Sequence, residues 1–151
     1  MKDGKVFYDK IYQDSGFSKN DLYIKAKNVF LRLFPATKDV IQNEDKENGI
    51  ISGKGYFSFY NKGGLIGSTA LIKTTINIVV KDNKYKAEVF DFYNEAKSAY
   101  EAEGPIENFY ALATKKYQKY WYGYFTNFNS RVILLLAQIN DEMGKKLITD
   151  F

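Results

Sequence analysis

The chain contains no cysteine and no histidine. Disulfides, thiol nucleophiles, zinc sites built on thiolate or imidazole, and Ser-His-Asp triads are therefore excluded within this sequence. Lack of cysteine suits either redox compartment and does not place the protein. Proline is scarce, with Pro35 and Pro105 alone, so each is read as a boundary. Arginine is equally scarce: Arg32 and Arg131 stand among 22 basic residues. A nucleic-acid reader usually carries several arginines and a basic stripe. Here lysines and acids are interspersed, and the net charge of +4 reads as a solvated lysine-rich surface with no nucleic-acid partner. No run of about 18 apolar residues occurs, so no transmembrane segment is expected. No signal-peptide core follows Met1, which leaves a cytosolic protein or one whose export signal has been removed.

Aromatic residues are abundant instead. Thirteen Tyr, twelve Phe and one Trp occur in 151 residues, and Tyr and Phe suit both strands and thick core layers. With 45% hydrophobic and 26% charged residues, the composition is that of an ordinary globular protein. The length fits one domain with an appended element.

Alternation and turn chemistry place the elements. Lys5–Tyr12 is rich in Val, Ile, Tyr and Phe and reads as a first strand. Ser18 and Asp21 form a helix start, the hydroxyl accepting from a first-turn amide and the carboxylate favouring the positive helix end. Leu22, Ala26, Val29, Phe30, Leu33 and Phe34 then recur at three- and four-residue steps, one apolar stripe that Pro35 terminates. Lys38–Glu44 and Ile50–Tyr60 flank a turn containing Asn48-Gly49. In the second arm Ile51, Gly53, Gly55, Phe57 and Phe59 share a face. The two glycines admit either a ligand against the backbone or the close approach of a helix, and the helix is the preferred reading. Asn61–Ser68 is a glycine-rich loop without the Gly-Lys-Ser/Thr of a phosphate loop. Thr69–Val80 and Lys84–Tyr93 form a second hairpin about Asp82-Asn83. Ile72, Thr74, Ile76, Ile78 and Val80 should face the core; in the other arm Tyr85, Ala87, Val89 and Asp91 share one face and Lys86, Glu88, Phe90 and Phe92 the other.

Three stretches, SKNDLYIKAKNVFLRLF, KDVIQNEDKENGIISGKG and TTINIVVKDNKYKAEVFDFY, together resemble the bacterial family of unknown function DUF4468, described as having a fold like the TATA-box-binding protein. The resemblance covers roughly residues 5–93 and brings no functional residues with it. It implies a curved antiparallel sheet with helices on one face, and a setting in the bacterial cell envelope, periplasmic with the signal removed. It does not imply DNA binding, since fold and function are separable.

Beyond the resemblance, Asn94–Gly104 is polar, and Pro105 suits the first turn of a helix. Tyr110, Tyr117, Trp121, Tyr124, Phe128, Val132, Leu135 and Ile139 keep helical spacing. Gly123 and the polar Thr126–Ser130 stretch predict a break, giving helices over about 106–124 and 128–143 with Gly144 as C-cap. The expectation is thus an α+β protein: a curved antiparallel sheet of about five strands with one helix packed on it (1–93), and a C-terminal aromatic-rich extension of one or two helices (94–151).

Candidate sites are few. Tyr120, Tyr122 and Phe125 fall off the main stripe of the C-terminal helix and are candidates for a surface that meets a protein or glycan, or a second copy of the chain; the alternative is that they pack. Lys115, Lys116 and Lys119 beside them read as solvation. Asp39, Glu44, Asp45, Glu47, Glu88 and Asp91 would serve a carboxylate-based hydrolase acting on polysaccharide if two faced each other across a cleft. No catalytic residue, cofactor or metal site is assigned. The leading reading is a non-catalytic binding or interaction module of the envelope; the alternatives are that hydrolase and a small-ligand or lipid-binding protein.

Overall fold

Two hairpins and an edge strand build the sheet on which the helices are placed. The computed structural model describes residues 1–35, 39–62, 67–96, 102–110 and 118–145. Its elements are β1 (Phe7–Gln13), α1 (Lys19–Leu33), β2 (Ile41–Asp45), β3 (Ile50–Asn61), β4 (Ser68–Lys81), β5 (Lys84–Glu95), β6 (Gly104–Pro105), a 3-10 turn (Ile106–Phe109) and α2 (Gln118–Gly144). The strands pair antiparallel in the order β1-β5-β4-β3-β2, and the two-residue β6 also pairs with β5. The expected α+β class and antiparallel sheet of about five strands are what the chain forms.

The turns work as their residues dictate. Lys81 pairs with Lys84 around Asp82-Asn83, and Asn83 takes the positive φ of 63° that asparagine tolerates. This turn also anchors the start of α1. The Asp82 carboxylate accepts from the Lys19 amide at 2.7 Å, and the Asn83 side-chain oxygen accepts from the Gly16 amide at 2.9 Å. Ser18 accepts from the Asp21 amide at 3.1 Å, the expected N-cap. In the β2–β3 turn, Asp45 accepts from the Asn48 amide and side chain at 3.1 and 2.8 Å, and those bonds hold its carboxyl below the usual range.

The stripe on α1 is buried as the spacing requires: Leu22, Ala26, Val29, Phe30 and Phe34 lie in the core, and Leu33 packs against it. Burial is worth roughly 1.5–3 kcal/mol for each large side chain. The sheet receives the stripe through a notch. A Cβ on Gly53 would sit 2.2 Å from the Val40 carbonyl oxygen and 3.0 Å from the Phe30 ring; on Gly55 it would sit 2.6 Å from the Phe34 ring. The glycines serve helix approach.

Two departures from the expected pattern have clear causes. Asp91 adopts φ 53° in a bulge where β5 carries one extra residue against β4. The extra residue flips the alternation, so Phe92 and Asn94 join Val89 on the core side while Phe90 stays on the other face. The Thr74 hydroxyl donates to the Phe90 carbonyl at 2.8 Å and satisfies the disrupted ladder. The second departure is α2, which runs unbroken through Gly123 and Thr126–Ser130. Trp121, Tyr124, Phe128, Val132, Leu135, Ile139 and Met143 form one continuous buried stripe, and their packing outweighs the roughly 1 kcal/mol that an interior glycine costs. Pro105 lies in β6, and Ile106–Phe109 is a 3-10 turn; residues 111–117, with Lys115, Lys116 and Tyr117, lie outside the described residues.

Both helices cover the same face. Phe128 on α2 meets Phe57, Phe59 and Phe92 at centroid distances of 6.0, 6.1 and 4.8 Å, on the face that bears Gly53 and Gly55. Tyrosines tie α2 down: Tyr8 donates to Asn129 at 2.8 Å, Tyr85 to Asn140 at 2.5 Å, and Tyr12 to the Leu136 carbonyl at 3.3 Å. Where α1 meets the end of α2, the buried Lys25 ammonium donates to the Met143 carbonyl at 3.0 Å and lies 3.4 Å from the Phe17 ring centroid. A cation suits the negative C-terminal end of a helix.

Candidate functional site

With the helices on one face, the other face of the sheet is left uncovered among the described residues. Strand register writes its surface in rungs. Across β1, β5, β4, β3 and β2 run Ile11–Lys86–Val79–Ile50–Asp45 and then Asp9–Glu88–Asn77–Ser52–Asn43. Phe7–Phe90–Thr75–Lys54 follows, then Tyr93–Lys73–Tyr56 and Glu95–Leu71–Ser58. Apolar and polar side chains alternate along this grid.

The polar groups at its centre are committed to one another. Glu88 accepts from Asn77 at 2.7 Å with one oxygen and pairs with Lys86 at 3.3 Å with the other. Lys54 donates to the Thr75 hydroxyl, Tyr56 to Glu95 at 3.4 Å, and the Lys73 ammonium sits 5.9 Å from the Tyr56 ring. Phe7 stacks on Phe90 at 5.5 Å. The edges are freer: Ile11 is 62% exposed and Tyr60 58%. At the β4–β5 turn, Ile11, Gln13, Val79, Lys81, Lys84, Tyr85 and Lys86 line a groove of about 330 Å³. A second, more polar recess of about 410 Å³ lies between the end of β1 and the end of α2, among Gln13, Asp14, Asn140, Asp141 and Lys145.

The aromatic candidates have different fates. Phe125 stacks on Tyr110 at 4.3 Å with the rings 5° apart, and Tyr120 meets Trp121 edge-on at 5.1 Å; both pack against the core. Tyr122 stands 75% exposed. The candidate acids are dispersed. Glu44 pairs with Lys27 at 2.9 Å, a contact that holds the lysine above its ordinary range. Asp45 ends β2 and Glu47 lies in the β2–β3 turn, Glu88 lies three strands away on β5, and Asp39 and Asp91 take positive φ. Three strand spacings are about 14 Å, too wide for Glu88 to work with Asp45 on one glycosidic bond. Register does bring Asp9 opposite Glu88, a pairing that sequence reading missed because it needs β1 beside β5. No group of three or more metal-ligating side chains occurs among the described residues.

The sequence model described as "Domain of unknown function (DUF4468) with TBP-like fold" matches residues 8–95. The chain belongs to this family. Solved structures extend the likeness in fold to the whole length. A DUF4468 family protein from Bacteroides ovatus ATCC 8483 is 16% identical, with a TM-score of 0.76 over 99% of this chain and 92% of that one. A TBP-like protein from Parabacteroides distasonis ATCC 8503 is 18% identical, with a TM-score of 0.74 over 97% of each chain. The C-terminal helix, which lies beyond the resemblance read from the sequence, is therefore included in an architecture that the DUF4468 structure shares. No curated protein matches the sequence. Among the described residues of this DUF4468 protein, no helix is long and apolar enough to cross a membrane.

Proposed function

We propose that this protein is a non-catalytic binding module whose contact surface is the uncovered face of its sheet. The observation that carries the reading is the division of labour across the sheet. Both helices are spent on one face, while the other presents a wide grid in which Ile11, Val79, Ile50, Tyr56, Leu71 and Tyr93 are interleaved with polar groups. Antiparallel sheets commonly face water on one side, but a face serving only solvation has no need of three aliphatic side chains, Ile11, Val79 and Ile50, in one rung with Lys86 and Asp45. The internal pairing of Glu88, Lys86 and Asn77 further supports binding over chemistry, because an acid with both oxygens engaged is poorly placed to move a proton. Tyr122 is a secondary contact candidate by its exposure; Tyr120 and Phe125 would contribute edges only.

An envelope setting is part of the proposal and rests on the family resemblance. Release of the protein by osmotic shock is expected, and co-fractionation with cytosolic markers counts against it. The contact surface is tested by a benzophenone side chain introduced at Ser58 on the open face or at Ala137 on the outer side of α2. In the producing cell, Ser58 should give an adduct that excess unlabelled protein competes away. Adducts from Ala137 alone would refute the reading.

A further inference from the structure

Gln13, Lys84 and Lys81 make the end rung of the open face at the β4–β5 turn, beyond Ile11, Lys86 and Val79. These six residues, with Tyr85, line the groove of about 330 Å³. Three lysines thus share the groove with two aliphatic side chains, Ile11 and Val79, which Lys86 separates within their rung. Lys86 is engaged by Glu88 at 3.3 Å, but among the described residues neither Lys81 nor Lys84 has an acid within ion-pair distance. The two face each other directly across the turn, and like charges in that position oppose strand pairing. The turn holds regardless because Asp82 and Asn83 are bonded to Lys19 and Gly16. An anion seated between the two ammonium groups would convert their repulsion into attraction. Same-face rungs are about 7 Å apart along a strand, so a charged head at the end rung leaves its body over the next rung, along Ile11 or Val79 and the methylene stem of Lys86 between them.

We propose that this groove binds a small organic anion, an acidic head carried on an aliphatic body. The inference rests on the reading of the open face as a contact surface and adds the class of ligand. A volume near 300 Å³ is at the small end of ligand sites, which suits a molecule of this kind. The chemistry requires both halves: ammonium groups for the head, and Ile11 with Val79 for the body.

The test is titration of the full chain with octanoate below its micelle-forming concentration, followed by amide chemical shifts. Inorganic phosphate and 1-octanol supply the head and the body separately. Octanoate should shift the amides of residues 11–13 and 79–86, and should bind at least tenfold more tightly than either control. Replacing Lys81→Gln together with Lys84→Gln, both exposed positions, should weaken octanoate at least fivefold while leaving the remaining amide spectrum unchanged. Equal binding by the double variant, equal binding of phosphate, or the absence of shifts at these amides overturns the proposal. If octanoate fails while the Ser58 adduct forms, the open face is a contact surface with a different ligand; if both fail, the binding-module reading falls too.

Discussion

Gly55→Ala tests whether the close seating of α1 on the sheet holds the fold together. An added Cβ would lie 2.6 Å from the Cε1 and Cζ atoms of Phe34. Carbon atoms in ordinary contact are about 3.5–4.0 Å apart, so the ring must retreat by roughly 1 Å. Phe34 is 6% exposed and sits at the C-cap of α1 before Pro35, where a close-packed interior offers little room. Overpacking of this kind costs about 1–3 kcal/mol. The backbone at Gly55 does not have positive φ, so alanine also restricts the unfolded chain and returns about 0.4–1 kcal/mol. The net expectation is a loss of about 1–2 kcal/mol, or a fall in Tm of a few degrees at this chain length. Urea unfolding should show a lower midpoint at unchanged slope. Phe34→Leu in the same background should recover part of the loss, with a coupling energy of at least about 0.5 kcal/mol in a double-mutant cycle. Gly144→Ala, where an added Cβ meets no atom within 4 Å, provides the neutral comparison. If Gly55→Ala is neutral or stabilising, or shows no coupling to Phe34, the glycine notch is not what seats the helix.

Thr74→Val keeps the shape of a fully buried side chain but removes the hydroxyl that donates to the Phe90 carbonyl at 2.8 Å; it should cost about 1–3 kcal/mol and raise hydrogen exchange around the bulge, and an unchanged unfolding midpoint would deny the bulge its support. Stability should also fall in alkali. Burial raises Tyr8 from an ordinary 10.0 to about 12 and raises Tyr85 and Tyr124 as well. The folded state then keeps protons that the unfolded state releases above pH 10, so the contribution of these phenols is complete below that pH and is lost as pH rises through the folded values, by at most about 1.4 kcal/mol per pH unit for each phenol; unfolding free energies that stay level while tyrosinate absorbance rises would contradict this. Finally, the TBP-like fold should not bind DNA here, because both arginines lie on the helical side, Arg32 paired with Glu142 at 3.3 Å and Arg131 over the Phe57 ring at 5.5 Å. Mixed-sequence duplex should show no mobility shift at low ionic strength, and a salt-sensitive shift would reverse the conclusion.

Local chemistry by itself determined the elements. The Ser18 cap, the stripe from Leu22 to Phe34 ended by Pro35, the turns at Asn48-Gly49 and Asp82-Asn83, and the core face of β4 were all readable because each depends on residues a few positions apart. The glycines at 53 and 55 were readable as a landing site for a helix for the same reason, since they share a face with Phe57 and Phe59. Tertiary structure decided the rest. Nothing in the order of residues reveals that Asp91 adopts positive φ and turns Phe92 inward, because aspartate carries no requirement for that conformation and only the pairing of β5 with β4 selects it. Gly123 and Thr126–Ser130 argue locally for a break in α2, yet a stripe of large side chains buried against the sheet outweighs their weak preferences. The lysine groove and the Asp9–Glu88 pair exist only because β1, first in the chain, lies beside β5. Strand order is a long-range choice, set by how the whole apolar surface is covered, and no neighbouring residues record it.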